Sequence, residues 1–160
     1  MGHRITGLVG KRAALARIAA ALGLAAPAAL RRGLAFLPLD DDDIDGIVGH
    51  DPGPALTGFA YLTGRVAARV AALSRGTALA YVETDHGGGA GGQGAALFRD
   101  GAAATAPAWS PGRGQVNRAL AALGVEPGPG ERDEFEAAGL GRFRSNDRWR
   151  EAAAGAEEDD

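Results

Sequence analysis

The stretch TALAYVETDHGGGAGGQGAALFRDG, Thr77 to Gly101, decides how the chain is read. Thr77 to Thr84 carries the β-branched and aromatic residues of a strand. Alternation places Leu79, Tyr81 and Glu83 on one face and Ala78, Ala80, Val82 and Thr84 on the other. Both faces are mostly apolar, which suits a strand covered on both sides in the middle of a sheet. Gln93 to Arg99 repeats the pattern, with Leu97 on one face and Ala96 and Phe98 on the other. Asp100-Gly101 signals a tight turn because both residues accept positive φ. A short strand, Ala102 to Ala106, is expected after it. The segments Leu79–Thr84 and Ala95–Arg99 are expected to pair antiparallel around a glycine-rich loop, His86 to Gly92.

A glycine run is entropically costly unless the backbone needs positive φ or close approach. Gly87-x-Gly89-x-x-Gly92 formally matches a dinucleotide fingerprint. That site needs a helix N-terminus after the glycines to hold pyrophosphate, and here a strand follows. A kinase-type flap is excluded as well, since the single lysine, Lys11, lies far upstream and no HRD or DFG motif exists. Two readings remain: a mobile hairpin tip, or a loop that covers a ligand or partner. The candidate binding residues are Glu83, Asp85, His86, Gly87, Gly89, Gly91 and Gln93. Glu83 and Asp85 lie two apart on a strand and share a face, with His86 beside them. Such a trio suits metal binding or acid–base work. The structural alternative pairs Glu83 with an arginine and leaves Asp85 and His86 to shape the loop mouth.

With 160 residues and 46% hydrophobic content, the chain is large enough for one domain with a core. A net charge of −3 argues against nucleic acid as the main partner. The absence of cysteine removes disulfides, zinc–thiolate sites and thiol nucleophiles, and fits a cytoplasmic protein. Ser74, Ser110 and Ser145 sit in no G-x-S-x-G elbow. The apolar run Ile18 to Leu30 is short and holds Pro27, so it does not span a membrane. A signal-peptide reading of that run is disfavoured because the helical stripe Leu15, Ile18, Leu22 begins before it. No motif implies a cofactor or a metal.

The remaining elements follow from periodicity and caps. Ile5 to Val9 predicts a strand, Arg12 to Leu22 a helix, and Gly33 to Leu39 a strand whose end is marked by Pro38. Asp41 to Val48 predicts a short helix capped by Asp40. The same run has the calcium-loop spacing Asp41-x-Asp43-x-Asp45-Gly46, but Pro52 occupies the twelfth position and no helix enters the loop. Phe59 to Leu62 is expected to be extended, Thr63 to cap a helix through Leu73, and Trp109 to Gly112 to turn. Gln115 to Leu123 and Glu131 to Ala138 predict helices, the second burying Phe135, after which Leu140 and Phe143 tuck onto the core. The segment Arg142 to Arg150 mixes arginine with Phe143 and Trp149, which suits single-stranded nucleic acid. Its alternative is a strap that buries the aromatics and leaves the arginines in solvent.

The order YVETDHGGGAGGQGAALFRDG, QVNRALAALGV, DEFEAAGLGRFRSNDRW resembles the layout of a family of small uncharacterised bacterial proteins, many of them actinobacterial. The resemblance covers roughly the C-terminal half and implies no activity. The whole predicts a single α+β domain over residues 1–150. It has an antiparallel sheet, a central glycine-loop hairpin and helices packed against it, followed by a disordered acidic tail at 151–160. The expected function is partner binding of the immunity-like (toxin-neutralising) kind, through the hairpin and the acidic surface near Asp40 to Asp45. The alternatives are a small enzyme or ligand-binding domain using Glu83, Asp85 and His86, and a weak nucleic-acid binder using Arg142 to Arg150. The expected partner is another protein, without membrane or nucleic acid.

Overall fold

The computed structural model describes residues 2–49, 51–87, 90–112 and 114–158. A seven-stranded antiparallel sheet forms its middle layer. Strands β1 (Thr6–Lys11), β2 (Ala28–Ala29), β3 (Leu34–Pro38), β4 (Ala78–Gly87) and β5 (Ala90–Arg99) run in the order β2-β3-β1-β4-β5. Two short strands, β6 (Ala102–Ala103) and β7 (Ala108–Pro111), both pair with β5. The hairpin β4–β5 is therefore internal, as its two apolar faces predict.

Helices cover both faces. On one, Val9, Phe36, Val82 and Leu97 pack with Val116 and Leu120 of α4 (Gly114–Ala122), Phe135 of α5 (Glu134–Ala138) and Trp149 of α6 (Asn146–Glu158). On the other, Leu8, Leu37, Tyr81 and Phe98 pack with Leu15 of α1 (Arg12–Leu22), Ile44 of α2 (Asp41–Val48) and Val66 and Val70 of α3 (Gly64–Leu73). Burying each such side chain contributes about 1.5–3 kcal/mol, so the two layers, rather than any single helix, hold the sheet between them.

Local chemistry sets the helix ends. Thr63 Oγ1 accepts from Val66 N at 3.2 Å and starts α3. Asp133 Oδ1 accepts from Glu136 N at 2.9 Å and starts α5. Gly23, at φ 72°, lets α1 stop in the left-handed conformation. At α2 the Asp40 N–H donates to Asp43 Oδ2 at 2.9 Å. Asp41, Asp43 and Asp45 thus lie along a helix and do not wrap a cation loop.

Four segments differ from the sequence-based expectation. The glycine segment is mostly strand: Asp85 faces Gly92, His86 faces Gly91 and Gly87 faces Ala90, leaving only 88–89 between, outside the described residues. Trp109 belongs to β7, which pairs Gly92–Ala95 with Ala108–Pro111 rather than turning. Phe59 to Leu62 is a bent loop, not an extended piece. Finally, α6 runs through most of 151–160, the stretch read as a disordered tail. Its alanines are helix formers, Ala153 packs against the core around Trp149, and Arg150 ties the helix to α2.

Candidate functional site

Glu83 is 3% exposed and sits on the α3 face of the sheet. Its Oε1 accepts from Ala60 N at 2.8 Å. Its Oε2 accepts from Leu62 N at 3.0 Å, Tyr61 N at 3.2 Å and Tyr81 Oη at 2.7 Å. Four donors thus converge on one buried carboxylate, the arrangement by which a protein replaces lost hydration of a charge. Burial, and then the adjacent Glu83 charge and hydrogen bond, push the Tyr81 phenol well above its ordinary value. The loop that Glu83 grips carries Tyr61, the one large apolar side chain that stands exposed among the described residues, at 36%.

The other expected site residues diverge from Glu83. Asp85 shares its face but is exposed, and takes an ion pair from Arg4 at 3.1 Å. His86 points to the opposite face, and its backbone bridges His3, with His3 N donating to His86 O at 2.7 Å and His86 N to His3 O at 2.9 Å. Gln93 is fully buried on that same opposite face, across from Thr84 and Ser110. Its carboxamide has no hydrogen-bond partner among the described residues. Beside it, His3 Nδ1 and Thr84 Oγ1 lie 2.7 Å apart. Glu83, Asp85 and His86 therefore form no common centre: Glu83 and Asp85 share a face, but one is buried under the loop of residues 60–62 and the other is exposed and paired with Arg4, and His86 lies across the sheet. Among the described residues, no group of three or more His, Asp or Glu side chains is placed to hold a metal.

The glycines have packing reasons. Gly87 pairs with Ala90 at the hairpin end, and Gly89 lies outside the described residues. At Gly91, φ is 121° and an added Cβ would lie against the Asp85 carbonyl. At Gly94 an added Cβ would fall 2.4 Å from the Phe59 ring and 2.7 Å from Trp109. These two rings meet edge to face, with centroids 6.0 Å apart, across the backbone of β5.

An open cleft of about 420 Å³ lies where Arg4 and Thr6 meet the start of α2, the loop of Tyr61 and the start of α6. Arg4, Asp41, Asp42, Tyr61, Asn146 and Asp147 are among its lining residues. Arg4 both lines the cleft and pairs with Asp85, so the turn end of the hairpin and the acidic run Asp40–Asp42 are joined through Arg4. Asp40 is held by Arg150 and by Asn146 Nδ2 at 3.1 Å. No ion pair reaches Asp41 or Asp42 among the described residues. The nucleic-acid candidate segment is differently employed: Trp149 is 2% exposed, and Arg150 is engaged with Asp40, Asp43 and Asp147.

Compared with known protein families, curated proteins and solved structures, the chain matches none. Among the described residues, no helix is long and apolar enough to cross a membrane. Arg4 and Tyr61 escaped sequence reading because neither sits in a motif. The only available signal was Tyr61 itself, a second aromatic two residues after Phe59 in a loop.

Proposed function

We propose that the protein is a cytoplasmic binding protein of the toxin-neutralising kind, which docks a basic segment of a partner protein in the cleft between the loop of Tyr61 and α2. The observation that carries this reading is Tyr61, exposed at the rim of a cleft walled by Asp41, Asp42 and Asp147, on a loop clamped from beneath by Glu83. A pre-positioned aromatic beside Asp41 and Asp42, which make no ion pair among the described residues, suits a guanidinium or ammonium group, which gains both a cation–π contact and charge complementarity. Because the loop is already held, docking costs little ordering entropy. The most buried acid of the site, Glu83, already accepts four hydrogen bonds, which favours binding over acid–base chemistry.

The test is calorimetric titration of the protein with the product of a toxin gene adjacent to its own, and with an arginine-rich decapeptide. Tyr61→Ala and Asp41→Asn/Asp42→Asn are each expected to weaken binding by about ten-fold or more, with the acidic pair also flattening the salt dependence. Unchanged affinity in both variants, or turnover of a small molecule that is lost in Glu83→Gln, overturns the proposal.

A further inference from the structure

A second concavity lies on the opposite layer, between the turn after β2, α5 and α6. It has a volume of about 720 Å³, within the range of small-molecule sites. Its apolar wall includes Leu30, Phe135 and Trp149, and its charged lining is Arg31, Arg142 and Glu136. Glu136 is in use: its Oε2 accepts from Arg132 N at 3.1 Å. Arg142 lies 5.2 Å over the Phe143 ring and makes no ion pair among the described residues. Arg31 stands 3.7 Å from Glu131, whose carboxylate is held more closely by Arg32 at 2.5 Å and Gly128 N at 2.6 Å. At the edge of an apolar groove there are therefore two guanidinium groups, Arg142 with no ion pair among the described residues and Arg31 with only the long one to Glu131.

Two further features mark the groove as built. Trp149 is 2% exposed, and its indole Nε1 is buried without a hydrogen-bond partner. A buried donor without an acceptor is uncommon in a folded protein. Edge-to-face contacts with Phe36 and Phe143 fix the ring, so the donor cannot swing to solvent. Glycine at 141 also keeps the wall thin, since an added Cβ would sit 3.0 Å from Phe135.

We propose that this groove binds a small amphiphilic carboxylate, its apolar body against Leu30, Phe135 and Trp149 and its carboxylate between Arg31 and Arg142. Guanidinium groups bind carboxylates in a planar fork, and the apolar wall rejects inorganic anions that lack a body to bury. The site is independent of the acidic cleft and of the partner proposed for it.

The experiment follows the two indole N–H signals by proton–nitrogen NMR during titration with octanoate, octan-1-ol and inorganic phosphate. The chain has two tryptophans, and Trp109, on the other layer, serves as the internal control. Octanoate is expected to move the Trp149 signal saturably, and to bind about ten-fold more tightly than octan-1-ol, with phosphate inert. Arg31→Gln/Arg142→Gln is expected to bring octanoate down to the octan-1-ol affinity and leave octan-1-ol unchanged. Equal affinity for octanoate and octan-1-ol on the unaltered chain refutes the carboxylate site without recourse to any variant. A Trp149 signal that does not move, or a saturable shift by phosphate alone, refutes it as well.

Discussion

Replacing Glu83 by glutamine tests the central reading of the site. The change keeps the shape and removes the charge. In the better of two orientations, the amide oxygen takes the place of Oε2 and still accepts from Tyr61 N, Leu62 N and the Tyr81 hydroxyl. The amide nitrogen then faces Ala60 N, which sits 2.8 Å from Oε1 in the parent, so two donors oppose each other. Leaving one buried donor unsatisfied costs about 1–3 kcal/mol, and the loss of charge assistance on the other bonds adds to it. The sum is about 2–4 kcal/mol, limited above by the work of detaching the loop so that water reaches its amides. For a chain of this size, each kcal/mol lowers the melting temperature by roughly 2–4 °C, so a fall of about 5–15 °C is expected. Urea denaturation measures the energy, and amide hydrogen exchange locates it. Exchange should accelerate at Ala60, Tyr61 and Leu62 well before the β4–β5 ladder opens. A variant within about 0.5 kcal/mol of the parent, with these three amides still protected, would refute the clamp and with it the pre-positioned Tyr61.

The other predictions rest on single contacts. Tyr81 has its pKa raised in the folded state, so above pH 10 the unfolded chain releases the phenol proton more readily than the folded one. Stability is then unaffected below the unfolded value and falls as pH rises beyond it. In a Tyr61→Phe variant, which leaves Tyr81 as the only tyrosine, phenolate absorbance should appear only together with alkaline unfolding, and a reversible rise in the folded protein would contradict the burial. Gly94→Ala should cost about 1–3 kcal/mol by forcing Phe59 and Trp109 apart, seen as a shifted urea midpoint and altered near-UV dichroism. Arg150→Ala removes the ion pairs from α6 to Asp40 and Asp43 and leaves the Asn146 bond to Asp40; the side chain is about one-third exposed, so the loss should be only about 1 kcal/mol and should shrink in high salt.

The alternation at Leu79 to Thr84 was legible because it expresses a condition of the fold itself: both faces of the strand meet a helical layer. The helices were legible for the same reason, their stripes at Leu15/Ile18 and Val66/Val70 matching what the sheet buries. Capping by Thr63 and Asp40 is written in one or two residues and needs no tertiary information. By contrast, β7 carries only Ala108, Trp109, Ser110 and Pro111, and nothing local distinguishes it from a turn. Its strand character comes from β5, which offers it a ladder edge. The tail was misread because composition weighs its acidity and alanine content, whereas its helix is held at one end by Trp149 and Arg150, residues that precede it.

The glycine run shows how the same ambiguity shaped the functional reading. Glycine in a hairpin has two opposed causes: a backbone that must move, and a backbone that must be approached. The sequence presents both alike. Gly91 and Gly94 belong to the second kind, since each is crowded by neighbours that a Cβ would displace. The double substitution Gly89→Ala/Gly91→Ala is therefore expected to be destabilising rather than neutral. At φ 121° an alanine is strained by about 1–3 kcal/mol, and its Cβ would also collide with the Asp85 carbonyl, loosening the end of the ladder. Asp85 would then lose its fixed distance from Arg4, and the turn end of the hairpin would no longer be joined through Arg4 to the acidic cleft. Thermal melting and partner affinity should fall together. A variant that melts like the parent would return the glycines to the role of a free tip, and would detach the hairpin from the surface on which Tyr61 stands.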